Sequence, residues 1–237
     1  MISSILGTSF IEHLQALRGV LIRSFAAWFI ATCLGLYYAS DLLTWLIRPL
    51  GRVVFTAPCE AFGAYFSAAA FLGIAAAFPY VAYQVWGFVS PGLISKEKRF
   101  ILALALSSFG LFAGGCVFGY FVVLPQALRF FLSFASRQIM PMITIGRYLS
   151  FIMSFTLSFG LSFQLPLVLM AANRRGWLDG RMLRKRWREA VVVVFILAAV
   201  LTPGTDVASQ VFMAGPLLVL YGISLLLCNH DSVRTLP

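Results

Sequence analysis

A single carboxylate, Glu97, stands among basic residues in "ISKEKRF", flanked by Lys96, Lys98 and Arg99. Two chemistries suit it. Ser95 can cap a helix start, and a carboxylate in the first turn is favoured by the unpaired N–H groups and the helix dipole. Alternatively, the carboxylate awaits an external cation, most strongly a guanidinium held by two parallel hydrogen bonds. The residues alone leave both open. Asp206, in "LTPGTDVASQ", has a plain reading as the cap of the last helix. The histidines are His13 and His230, and H-E-x-x-H, G-x-S-x-G and Walker motifs are missing from the chain. No apolar run carries the paired groups that catalysis needs. Cys33, Cys59, Cys116 and Cys228 form no C-x-x-C pair. The expectation is therefore a protein that is not an enzyme, with no metal and no cofactor.

The setting of these residues is apolar. Of the 237 residues 61% are hydrophobic and 11% charged, where a soluble domain has about 25% charged residues. The formal charge of +10 could suggest nucleic acid. The basic residues, however, fall between apolar runs, a pattern of membrane topology, and no nucleic-acid partner is expected. The N-terminus lacks a basic start and a clean cleavage site, so it does not read as a removable signal peptide.

Runs of about 20 apolar residues predict spans near 20–38, 65–89, 100–124, 148–172, 190–203 and 207–227, within a single membrane domain over 1–237. Pro79 can kink the second span, Pro125 is read as stopping the third, and Pro166 lies inside the fourth. The fifth is short and is read as a short crossing. Six crossings put both termini on one side. With the termini inside, thirteen of the 18 Lys and Arg residues are internal, many in "NRRGWLDGRMLRKRWRE". Only Arg48, Arg52, Arg129, Arg137 and Arg147 fall outside, a strong positive-inside bias. Phe10, Leu14, Leu17 and Leu21 share one helical face, which predicts an amphipathic surface helix running into span one. The outer segments from about Asp41 to Glu60 and Gln126 to Arg147 are apolar enough to fold back on the membrane. Gln84 and Gln164 read as interhelical glue. Gln164 precedes Leu165 and Pro166, where a broken hydrogen-bond ladder suits either a docking helix or local satisfaction of the kink.

The order of motifs resembles the TatC family over nearly the whole chain. "EHLQALR" precedes span one, "FPYVAYQVWGFVSPGL" closes span two and "KEKR" opens span three. "GYFVVLP", "YLSFIMSFTLSFGLSFQLP" and "LTPGTDVASQ" follow in order. The resemblance implies an all-α polytopic membrane protein, with six transmembrane helices in a concave bundle, short fifth and sixth spans and both termini cytoplasmic. It implies the core subunit of the twin-arginine translocase in the bacterial cytoplasmic (inner) membrane. Such a subunit binds twin-arginine signal peptides of folded cargo at the cytoplasmic face. It works with TatA- and TatB-like single-span partners, in contact with membrane lipid, in a larger self-associated complex driven by the protonmotive force. By motif position, Glu97 is similar to the carboxylate that receives the signal arginines. Phe88, Arg18, His13 and Leu21 match residues near that site. Pro49, Tyr120, Asp206 and Gln210 match family positions that are partner-docking or structural. Gln164 stands where many members carry Glu, at a partner-docking position. Where the family motif reads H-L-x-E-L-R-x-R, this chain has Ala16 for the acid and Val20 for the second Arg. Glu12, one turn earlier on the same helix face, is a substitute acid. A secondary transporter of a small solute, which would show internal repeats, and an assembly scaffold without recognition are the alternatives.

Overall fold

The computed structural model describes residues 2–48, 54, 57–89, 98–136, 142–174, 180–202 and 206–234. Within those ranges side chains are described from Leu14 to Leu226, apart from residues 58, 98, 100, 174, 180, 181 and 183. The described chain is almost entirely helical: α1 (Ile2–Ile47), α2 (Pro58–Val89), α3 (Lys98–Phe118), a π segment (Gly119–Val123), α4 (Leu124–Leu132), α5 (Ile145–Ser162), α6 (Leu165–Arg174), α7 (Gly180–Lys185), α8 (Trp187–Leu201) and α9 (Val207–Arg234). Five stretches are long and apolar enough to cross a membrane: Leu14–Ile47, Cys59–Val89, Ile101–Leu132, Ile145–Asn173 and Val207–Leu226. At 15 residues α8 reaches about 22 Å, shorter than the bilayer's hydrocarbon core of about 30 Å.

Several element ends differ from those predicted. The amphipathic start and span one form one helix, α1, which continues to Ile47, so Asp41–Ile47 is helix and not a folded-back segment. Hydropathy marks where a helix is apolar, and the backbone ladder continues through its polar ends. The second helix begins at Pro58 and passes through Pro79 without a break. Pro125 does not stop the third span. The Leu124 N–H donates to the Gly119 carbonyl, a wide π turn immediately before the proline. That turn takes up the donor and ring geometry that proline denies to a regular helix, and α4 follows directly. The fourth span breaks at Phe163–Gln164. The Gln164 N–H donates to Leu161 O at 3.0 Å, and the Gln164 carbonyl accepts from the Val168 N–H at 3.0 Å, restarting the helix around Pro166. Gln84 is not interhelical in its contact with Tyr80: its amide donates to the Tyr80 hydroxyl one turn away, at 2.7 Å.

The chain packs as two compact units, Met1–Trp45 with Tyr65–Phe109, and Leu46–Ala64 with Gly110–Pro237. In the first, small residues bring backbones together. A Cβ on Gly35 would lie 2.8 Å from the Ala69 carbonyl, and one on Gly73 would lie 2.9 Å from the Thr32 N. Ala68 and Ala69 are fully buried, as expected of close helix packing in lipid. The Trp86 indole donates to the Ser108 hydroxyl at 2.8 Å, a buried bond between α2 and α3.

In the second unit, α5 is central. Phe155, Phe159 and Ile152 are fully buried. Phe155 meets Phe159 edge to face at 5.0 Å, and Phe118 meets both Phe159 and Phe163. Gly115 and Gly119 leave room for Phe159, while Gly160 leaves room for the Phe112 ring. An isolated parallel pairing of Val54 with Thr144, and the Glu60 carboxylate accepting from the Gly146 N–H at 2.9 Å, fix the start of α5. The Tyr148 hydroxyl donates to the Leu46 carbonyl at 3.0 Å.

Candidate functional site

The predicted recognition residues belong to the first unit. Gly35 meets Ala69 and Leu72, while Thr32 meets Gly73, so α1 and α2 run antiparallel. Arg18 lies 14 residues before Thr32 on α1, and Phe88 lies 15 residues beyond Gly73 on α2, so both lie toward the same end of the antiparallel pair. Because α3 begins nine residues beyond Val89, at Lys98, and its Ser108 bonds back to Trp86, the α3 start lies at the same end. Arg18 and Arg99 are exposed, Leu21 is 61% exposed, and Phe88 is half-buried. This end therefore offers two guanidinium groups and an apolar side chain to the surroundings. His13 and Glu12 lie on the α1 backbone with side chains outside the described residues, as do Glu97 and Pro49 entirely. Ala16, at the position of the family acid, is exposed.

The remaining predicted residues lie in the second unit. The Asp206 carboxylate accepts from the Ser209 N–H at 2.7 Å and caps α9. The Gln210 amide donates to the Phe195 carbonyl at 3.0 Å, tying α9 to α8. Tyr120 sits in the π segment, half-buried, with its ring edge-on to Phe121 at 5.0 Å. Gln164 lines a groove of about 560 Å³ between α6 and α8, floored by Leu217 and Tyr221 of α9. Sequence reasoning missed this groove. Its mouth residue, Arg186, was visible as part of the basic run and was read as a topology anchor alone. Among the described residues no group of three His, Cys, Asp or Glu side chains could hold a metal.

Five potential spans in a helical fold define a polytopic α-helical membrane protein. The chain belongs to the TatC family: the family model for Sec-independent protein translocase protein (TatC) matches residues 12–216. It is 41% identical over 222 residues to the Sec-independent protein translocase protein TatC of Carboxydothermus hydrogenoformans, covering 92% of this chain and 91% of that one. It is 34% identical over 221 residues to TatCd of Bacillus subtilis, covering 93% and 91%. A crystal structure of the twin-arginine translocase receptor TatC matches with a TM-score of 0.83 at 33% identity, covering 93% of this chain and 99% of that one. The resemblance read from the motifs is borne out, and with it an all-α polytopic membrane fold and a place in protein transport by the Tat pathway.

Proposed function

We propose that this chain is the signal-receiving core subunit of a twin-arginine translocase, exporting folded proteins across the bacterial cytoplasmic membrane. Its termini lie on the cytoplasmic side, where the internal basic residues accumulate. The observation that carries this reading is the convergence at one end of the first unit. Exposed Arg18, half-buried Phe88 and the start of α3, which directly follows Glu97 in the chain, all lie toward that end. In this reading Glu97 pairs with the signal arginines, Glu12 supplies a second acid in place of Ala16, and Phe88 and Leu21 receive the apolar part of the peptide. His13 and Arg18 shape the rim. TatA- and TatB-like helices dock against the second unit near Gln164, and copies of the chain associate in a larger complex. Pro49, Tyr120, Asp206 and Gln210 hold the supporting framework.

The test is photo-crosslinking of a twin-arginine signal peptide to membranes containing the protein, with the probe at position 97 or 88. We expect labelling by the twin-arginine peptide and weak labelling by a twin-lysine peptide. Glu97→Ala, read with the probe at position 88, should weaken binding by roughly 1.5–3 kcal/mol, the range for hydrogen bonds to a charged group. Equal labelling by the two peptides, or an unchanged yield in Glu97→Ala, sinks the pairing role.

A further inference from the structure

The groove between α6 and α8 has a composition that the signal-binding role does not use. Its walls are Leu161, Leu165, Val168, Val193 and Leu197, with Arg186, Glu189 and Met182 at one end. Arg186 belongs to the run from Arg184 to Glu189, which holds four basic residues and one carboxylate. Trp187, 54% exposed, carries the Arg188 guanidinium over its ring at 5.6 Å. Tryptophan of this kind sits at the headgroup level of a bilayer, which sets the mouth of the groove at the membrane–water boundary. Basic pockets between transmembrane helices at that level suit anionic lipid headgroups.

Length and charge select the occupant. From Arg186 to Leu201 the groove follows α8 for about 22 Å. Its walls are mostly apolar, and its basic end suits a single hydrocarbon chain with an anionic head at the mouth. From Arg186 to Leu197 the path is about 16 Å, close to one leaflet's share of a hydrocarbon core about 30 Å thick. We propose that this groove binds one anionic phospholipid, an acyl chain lying between α6 and α8 and the phosphate held by Arg186. The Arg186–Glu189 contact is loose, 3.5 Å with both side chains more than 60% exposed, so a phosphate can take the guanidinium from the carboxylate. A partner helix then packs over the rim of a filled groove, with the lipid beneath it.

The test is native mass spectrometry of the full-length protein in detergent, offered phosphatidylglycerol or phosphatidylcholine with identical chains. We expect one phosphatidylglycerol to be retained in preference to phosphatidylcholine. Arg186→Gln should lower phosphatidylglycerol retention about fivefold, the weight of one basic residue at an anionic surface. Glu189→Gln should raise it. Leu197→Trp, which fills the groove, should abolish retention of both lipids. Arg186 is solvent-facing, so its variant keeps the fold and the comparison stays decisive if Leu197→Trp fails to accumulate. Equal retention of the two lipids, or no change in Arg186→Gln, overturns the proposal. Capture of a single-span helical peptide in the groove with no lipid retained also overturns it.

Discussion

The two units solve the same packing problem by opposite means. In the first, α1 and α2 touch backbone to backbone, with Gly35 against Ala69 and Gly73 against Thr32. Lipid gives helices no hydrophobic drive to associate, so close approach and dispersion must supply it. Only 6% of the apolar window of α1 is buried, and Phe25, Phe29, Ile30 and Leu34 point outward. In the second, 56% of the α5–α6 window is buried, and large rings interlock around Phe159. The lesson is that a small contact area suffices when glycine lets the helix axes approach, whereas a central helix is held by the volume of its side chains. The proposed recognition end lies on the lightly packed unit, and the groove on the densely packed one.

The largest expected effect falls on the second unit. Phe159→Ala removes the ring that Gly119 makes room for, and should destabilise by about 4 kcal/mol. Thermal unfolding in detergent reads this, and a shift no larger than that of an exposed-position control such as Phe29→Ala would break the contrast. Next comes Gly73→Ala in the first unit. Its new Cβ meets the Thr32 backbone N at 2.9 Å, which no side-chain rotation relieves, and about 2 kcal/mol should be lost. Gly63→Ala, where nothing lies within 4 Å, should be neutral or slightly stabilising. Similar melting for both alanine variants would show that backbone proximity does not limit the first unit. The smallest expected loss is that of Asp206→Ala, which removes the 2.7 Å cap on α9 and should cost about 1 kcal/mol. Restoration of the melting temperature by Asp206→Asn but not by Asp206→Leu would show that capping, and not charge, is what the position supplies.

Much of the fold was legible because bilayer thickness imposes a length on apolar runs. Helices lie where hydropathy put the apolar runs, and five of the stretches are long enough to cross a membrane. Their ends differ, because Asp41–Ile47 and Cys228–Arg234 continue their helices beyond the apolar windows. Proline was an ambiguous signal. Pro79 sits inside an unbroken helix, a π turn admits Pro125, and the chain breaks before Pro166. What separates them is which neighbouring carbonyls find other donors, and a one-dimensional pattern does not carry that. The motif order exposed the candidate residues Arg18, Phe88, Glu97 and Gln164, while nothing in "RKRWRE" alone announced a groove beside it.

By itself the sequence determined a helical membrane protein, its family and the approximate positions of its helices, since composition and helix length answer to the solvent and not to partners. The tertiary structure decided which helix faces meet and which residues face a cavity. Gly35 and Gly73 bring the backbones of α1 and α2 into contact. The shared packing of α6 and α8 on α9 leaves the groove ending at Arg186. Both depend on distances between helices, and those are fixed by the atoms that meet across the contact, far apart in the chain.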